Sequence, residues 1–432
     1  MLPCCPAALL LQEYYSFRVR ELAPAALRVL DMQDMHSLRA AREAAAKAGA
    51  SPAEVLACQP DAAAPDCLRE LAAIHRSDLT LVCSPVELEL LSRHYGIPMC
   101  KLVPAPLFFL PSLYDPGTFG RESASSSGGG GSSGTCSSID GGDGAPTCPG
   151  FSTRQHVMMI GNFRHKPNLD SVREACRLWP LVRQWLPASQ QPPELHIYGS
   201  YPPGSASQRF HRPREGIHLK GFAPSLDIML SYRLLLAPLR FGAGLKGKVA
   251  DSWWHGLPVV TTPVGAEGMW PTAEQQQNSS SGRSSASSSS ASSSTSSDPA
   301  CDGFIWQEGP SSGSSGGGGD TTISSSSAAG QGPWGGLCGG STAEELAADV
   351  ATLYCHPLLW SRCQQAGFRL LRQLYDRDAN LEVVRRAVAA ALERREERRR
   401  SDFAGQLLWQ QGLRATEYMS RYIELKERVR NS

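Results

Sequence analysis

Leu234–Asp251 reads LLLAPLRFGAGLKGKVAD: a continuous apolar run, then a loop of glycines and lysines, then the first turn of a helical pattern. A short run that is apolar at every position is the signature of a strand buried on both faces of a parallel sheet. The loop carries Gly242, Gly244 and Gly247, which leave the backbone free to approach a ligand, with Leu245 between them. The helix that follows, expected over Lys248–His255, points its free N–H groups back at the loop, and Lys246 and Lys248 add positive charge. Strand, glycine loop and helix N-terminus together make an anion site suited to a diphosphate. Asp251, one turn along, is placed to accept hydrogen bonds from ribose hydroxyls. The plainer alternative is a glycine-rich connector with solvated lysines. The position of the loop, at the carboxyl edge of a parallel strand where open α/β sheets bind ligands, favours the phosphate site.

Working outward, the surroundings repeat the same rhythm. His156–Ile160 and Glu194–Tyr198 are strand-like, Ile217–Leu219 is short strand material, and Pro258–Thr262 (PVVTT) follows the Lys248 helix. Asn168–Trp185 has apolar residues at helical spacing, and Ser225–Ser231 is a small capped helix. Five strands alternating with helices and loops describe a doubly wound α/β domain. The front of the chain is similar but shorter. Strands are expected at Leu27–Leu30, Leu79–Cys83 and Lys101–Val103, with helices at Ser37–Ala48, at Cys67–Arg76 and from Ser84-Pro85 onward. The tail from about Ser341 is all helix: Ala343–Tyr354, Pro357–Tyr375, Ala379–Arg400 and Phe403–Arg430. Its run ERREERRR (393–400) reads as a solvated helical face.

The fold class is therefore α/β with two Rossmann-like halves, the first shorter, followed by a helical tail. The division expected is 1–112 for the front half, 113–152 for a low-complexity linker, 153–400 for the second half and 401–432 for a closing helix. Ser/Gly-rich stretches at 272–300 and 309–341 and in the linker cannot bury enough apolar surface to order, and are expected to be disordered insertions. The net charge of +1 gives no basis for a nucleic-acid surface. No apolar run approaches the roughly 20 residues that span a bilayer. Met1–Leu11 is apolar but lacks a basic start, so it is a poor signal peptide, and a cytoplasmic setting is the default. The 13 cysteines show neither a disulfide framework nor zinc-finger spacing, and most are expected to be ordinary buried thiols.

The order Gly/Lys loop, helix, Gly256-Leu257-Pro258-Val259-Val260, then Gly265-Ala266-Glu267-Gly268 resembles the donor-binding signature of retaining family-4 (group 1) glycosyltransferases of the GT-B fold. That family carries two glutamates separated by seven residues. Aligned on Gly256–Val260, Asp251 stands at the second and Ala243 at the first, where the family is thought to hold the transferred sugar. Lys248 matches the family's lysine three residues before the second glutamate. The resemblance extends to Gly161-Asn162-Phe163-Arg164-His165-Lys166, a phosphate-side loop in which Arg164 and Lys166 would face the diphosphate or remain surface charges. It also implies that Gly265 and Glu267 close the donor pocket, and that Gly221-Phe222 meets the base. The turn DMQDMHS (31–37) looks like the family's interdomain loop. Asp34 and His36 are its candidate catalytic pair, although the simplest alignment puts Gln33 on the family histidine and a capped helix start explains the turn equally. Leu413–Glu424 resembles the closing helix that returns to the front half.

The resemblance implies a retaining, metal-independent transfer from a UDP- or GDP-linked sugar to a carbohydrate, lipid or protein acceptor, with no further cofactor. The front half lacks the family's opening strand and glycine-rich loop, so a truncated front domain is expected. A catalytically silent nucleotide-sugar binder or scaffold is the alternative. A sugar-nucleotide epimerase would need further acidic residues that the sequence does not place.

Overall fold

The computed structural model describes residues 15–16, 18–115, 148–186, 192–271, 334–411 and 413–431, all within one compact unit. The apolar opening and the Ser/Gly-rich stretches expected as insertions lie outside the described residues, save for their margins.

The front half is a three-stranded parallel sheet in the order β1 (Val29–Met32), β2 (Leu79–Val82), β3 (Leu102–Pro104). Parallel neighbours require crossovers. Helices α1 (His36–Lys47) and α2 (Pro65–Arg76) supply the first. Helix α3 (Pro85–Glu89), continued by a wide π turn at Leu90–His94, begins the second. Met32, Leu38, Ile74, Val82, Leu91 and Leu102 close a core beneath this sheet. The first strand lies two residues beyond its expected place, because Arg28 is held at the strand entrance by Asp78: its N–H and guanidinium both reach that carboxylate at 2.8 Å. A short helix at Pro52–Ala57, which the periodicity does not reveal, is announced by a capping box between Ser51 and Glu54.

The second half is a six-stranded parallel sheet in the order β6-β5-β4-β7-β8-β9. Its strands are β4 (Gln155–Ile160), β5 (Leu195–Tyr198), β6 (Ile217–Gly221), β7 (Tyr232–Ala237), β8 (Val259–Thr261) and β9 (Gly336–Leu337). The sixth, β9, is one more than the sequence suggests; it is two residues long and pairs with Val259 and Val260. Alternate residues of each strand face opposite layers. Val157, Met159, Leu234 and Leu236 meet α4 (Lys166–Trp185) on one face. Met158, Leu235 and Ala237 meet α5 (Gly247–Trp254) on the other. Helices α6 (Ala343–Cys355) and α7 (Pro357–Leu374) complete the first and second layers respectively, and Trp179, Trp253 and Trp360 are fully buried within them. The chain runs outward from β4 in one direction and from β7 in the other, so the switch point of this sheet lies between those two strands. The architecture is the α/β, two-Rossmann arrangement.

The tail returns to the front half earlier than Leu413–Glu424. Ala391 of α8 (Arg377–Glu393) is buried against Leu79 and Val103 of the first sheet. In α9 (Arg395–Ser401) the arginine run is not simply solvated. Arg398 donates to the carbonyls of Asp78 (3.2 Å) and Cys100 (2.5 Å), and Arg395 bonds Ala25 O. Arg399 donates to Pro24 O, to Ala26 O and to the Asp78 carboxylate. Arg395, Arg398 and Arg399 share one face by helical spacing, and that face caps a row of backbone carbonyls. Burial raises the pKa of Asp78, but its hydrogen bonds from Arg399 and Arg28 outweigh this and hold the carboxyl far below the usual range. Helix α10 (Phe403–Gln411) then packs on α2, with Trp409 lying 4.2 Å from the Arg28 guanidinium, and α11 (Leu413–Asn431) follows.

Of the nine described cysteines, only Cys67, Cys176 and Cys363 are buried; the others sit at loop and helix margins, and all nine are unpaired. Among the described residues no helix is long and apolar enough to cross a membrane.

Candidate functional site

A cleft of about 530 Å³ opens at the carboxyl ends of β4 and β7, at the switch point. Gly161, Gly242, Leu245, Lys246, Lys248 and Asp251 line it, together with His165 and Asn168 at the start of α4. No side-chain cap satisfies the first N–H groups of α5, whose cap position is Lys246. The same holds for α4, capped by His165. Two helix N-termini therefore converge on one cleft, and their dipoles favour an anion there.

The two lysines are held differently. Lys246 is buried, donates to Gly244 O at 2.6 Å and feels the carboxylates of Glu267 and Glu87; burial nonetheless lowers its pKa. Lys248 reaches across the cleft to Asn168 Oδ1 at 2.7 Å, and burial, with the charge of Lys246 beside it, pushes its pKa down to about 8. Asp251 has no side-chain partner among the described residues, and burial lifts its pKa to about 6. His165 is neutral, driven down to about 4 by burial and then by the charge of Arg39. Lys248 is thus a cation that lacks an anion, beside an acid that lacks a donor.

The remaining expected residues lie elsewhere. Arg164 stacks over the Tyr201 ring, 4.0 Å from its centroid, and Lys166 points outward to Glu43 at 3.3 Å with three-quarters of its side chain exposed. Neither lines the cleft, because their helix-start backbone turns His165 and Asn168 inward instead. Gly265 packs against Thr261: an added Cβ would lie 1.9 Å from that side chain's oxygen. Glu267 is engaged by Arg42 of α1, which donates to both of its oxygens at 2.6 and 2.7 Å and also to Gly242 O. It orients the loop and ties the two halves. Phe222 lines the cleft mouth with its ring 71% exposed, beside Gly221.

Asp34 and His36 lie against the glycine loop from the other side. Asp34 pairs with Arg39, and its carboxylate is 3.3 Å from His36 Nε2. Burial alone would raise its pKa, but the His36 hydrogen bond and the Arg39 charge lower it, so it is ionised. His36 itself begins α1 with its backbone N–H bound to Glu70. His165 feels the charges of Arg39, Asp34, Lys248 and His36, which places both halves around one space.

Sequence reasoning missed Glu87. This side chain, 1% exposed, accepts from Met35 N at 3.0 Å and Gly244 N at 2.8 Å, so it staples the interdomain turn to the glycine loop. Its other oxygen is buried without a hydrogen-bond partner. Burial is the main cause raising its pKa to about 7, with Asp34 adding to the rise and the two backbone hydrogen bonds opposing it. The only signal in the sequence was an acid in the first turn after Ser84-Pro85.

Gly244 shows why this junction tolerates no side chain. Its φ is +65°, and a Cβ would lie 2.9 Å from Asp34 Cβ and 3.0 Å from Gln33 O. Gly244→Ala is expected to cost about 1–3 kcal/mol through the left-handed backbone alone, read as a lower urea midpoint.

Residues 154–278 match the family model described as glycosyl transferases group 1. This matching segment, under a third of the chain, contains the cleft's glycine loop, both lysines and Asp251. No curated protein matches the chain. Among solved structures, S. aureus TarM, in complex with Fondaparinux, alpha-GlcNAc-glycerol and UDP, aligns at 9% identity over 74% of this chain and 46% of its own, with a TM-score of 0.44. Anabaena HepE, in complex with UDP and glucose, aligns at 11% identity over 89% and 76%, with a TM-score of 0.49. The trehalose-phosphate synthase of Burkholderia vietnamiensis aligns at 11% identity over 89% and 79%, with a TM-score of 0.44. The chain spans about half the length of TarM.

Proposed function

We propose that the chain is a glycosyltransferase that takes a sugar from a nucleoside-diphosphate sugar, UDP- or GDP-linked, and passes it with retention to a carbohydrate, lipid or protein acceptor. The observation that carries this reading is Lys248, a cation at the N-terminus of α5 in the cleft, inside the segment that matches the group 1 family. The β-phosphate leaves with developing negative charge. Lys248 and the two helix N-termini are aimed at that charge in advance, which is how such groups lower a barrier. With those positive groups in place the transfer needs no metal or further cofactor. Asp251 accepts from the ribose hydroxyls, and Gly161 and Gly242 let the backbone approach the phosphates. Asp34 and His36, brought up by the front half, face the sugar and acceptor. TarM and HepE are each described with UDP, which makes UDP-sugars the first donors to try.

A second reading, a silent nucleotide-sugar binder, is favoured by one observation: Ala243, not a carboxylate, lines the cleft at the position where the family's sugar-holding glutamate stands. A panel of radiolabelled UDP- and GDP-sugars separates the two. Transfer or slow hydrolysis supports the enzyme, tight binding without turnover supports the binder, and absence of any nucleotide binding removes both.

Binding should depend on pH with two limbs. Lys248 is charged below about 8 and Asp251 ionised above about 6, so donor affinity is expected to peak between these values. Because Glu87 also titrates near 7, the limbs must be assigned with variants. The alkaline limb should vanish in Lys248→Ala and the acid limb in Asp251→Asn. Calorimetric titration with UDP between pH 5 and 9 reads both, and an unchanged profile in either variant refutes that residue's role.

A further inference from the structure

At the opposite, amino-terminal edge of the six-stranded sheet, three adjacent strands present histidines on the same face. His156 opens β4, Glu194 and His196 open β5, and His218 of β6 is the register partner of His196. The candidate ligand atoms of His156, Glu194 and His196 all lie within 4.8 Å of one another, and His218 Nε2 lies 3.3 Å from Glu194 Oε1. We infer that His156, Glu194, His196 and His218 form a binding site for one divalent transition-metal ion of the zinc class, remote from the donor cleft.

Three features separate this cluster from a chance gathering of polar side chains. The first is His218: its Nε2 is shielded from solvent and, although 3.3 Å from Glu194 Oε1, makes no hydrogen bond, an uncommon state in a protein interior. The second is the support behind His196. Its Nδ1 is 2.8 Å from the Tyr232 hydroxyl, which is 2.8 Å from the Tyr198 hydroxyl. Metal binding would select the tautomer in which Nδ1–H donates to Tyr232 and Tyr232 donates to Tyr198, leaving the Nε2 lone pair for the ion. Outer hydrogen bonds of this kind orient metal-bound histidines. The ion then takes the place of the proton between Nε2 and the Glu194 carboxylate, which lie 2.8 Å apart. The third is His156, one of two described residues other than glycine with a positive φ, at 57°. That backbone sets the ring beside Glu194, with Nδ1 3.2 Å from the Glu194 N–H, a contact that ligation through Nδ1 would replace.

The chemistry of the set suits the ion. Neutral imidazoles and one carboxylate are borderline donors that select zinc, and in its absence cobalt or nickel, over calcium or magnesium. Zinc–nitrogen bonds of about 2.0–2.1 Å require the donors to draw in by rotamer adjustment. Lys220 and Arg233 are close enough to repel the ion, so affinity falls short of a thiolate site. The bound ion would tie β4, β5 and the edge strand β6 together, a structural role that does not touch the donor cleft.

The test uses the full chain after chelation, with zinc and cobalt as probes. One equivalent of zinc, competed by cobalt with the visible absorption of a four-coordinate nitrogen–oxygen site, is expected. A hundredfold excess over Kd should raise Tm by about 5 °C. His196→Ala should abolish binding. If it fails to fold, His218→Gln on the edge strand should weaken zinc binding at least tenfold while the circular dichroism stays unchanged. Full stoichiometry and affinity in His218→Gln, or no zinc bound by the wild type, overturns the assignment and leaves a hydrogen-bonded network.

Discussion

Replacing Lys248 with alanine is expected to lower kcat/KM for the nucleotide-sugar donor about 10²–10³-fold, with little loss of stability. The asymmetry follows from what the side chain does in the structure. Its one hydrogen bond is to Asn168 Oδ1, a neutral partner at the cleft wall, so the fold loses little with it. The donor, by contrast, loses the ammonium that reaches across the cleft at an uncapped helix N-terminus. Lys246→Ala should behave differently. That ammonium is committed to Gly244 O and to the fields of Glu267 and Glu87, so its removal should lower the urea midpoint as well as turnover. The paired measurement, steady-state UDP release beside a denaturant curve, distinguishes the two. Equal turnover in wild type and Lys248→Ala would remove this lysine from the mechanism.

Arg42→Ala is the substitution expected to cost most in stability, about 3–5 kcal/mol. The guanidinium is 2% exposed and serves four acceptors: both oxygens of Glu267, Gly242 O and Leu56 O. Removing it strands a carboxylate that is itself largely buried and leaves two carbonyls without donors. Arg42→Lys should recover little, because an ammonium cannot match the bidentate geometry. The double variant Arg42→Ala/Glu267→Ala should be less destabilised than the sum of its singles, since the stranded charge is gone. Strict additivity in the urea midpoints would show that the pair is not coupled.

How much of this the sequence discloses depends on the range of the interaction. Strands such as Val157–Ile160 and Leu234–Ala237 are legible because burial on both faces writes a continuous apolar run. The glycine loop is legible because three glycines and two lysines fall within the seven residues Gly242–Lys248, just past a strand end. Arg42–Glu267 and Glu87–Gly244 are not, because they join positions 225 and 157 residues apart and no local spacing encodes a partner at that distance. Arg164 and Lys166 were misplaced for a related reason. Charge near a phosphate-type loop is suggestive, but the direction a side chain takes depends on where the helix begins. Here α4 begins at Lys166, which turns His165 and Asn168 into the cleft. The arginine run was read by composition alone, although its three- and four-residue spacing already placed Arg395, Arg398 and Arg399 on one face. The two residues of β9 carry no periodicity at all.

Asp78 and Arg399 stand 321 positions apart. At roughly 5–20 residues per second, a ribosome exposes the first strands some 15–60 s before it delivers the second arginine that bonds their buried carboxylate, beside Arg28. Through that interval the three-stranded sheet lacks Ala391 over Leu79 and Val103, and the carbonyls at residues 24–26 have no donors from α9. Contacts of such long sequence separation slow the final step of folding and expose its precursor to aggregation. The nascent front half therefore completes its packing only after α9 has been made, and until then its sheet edge and buried carboxylate are exposed to wrong partners.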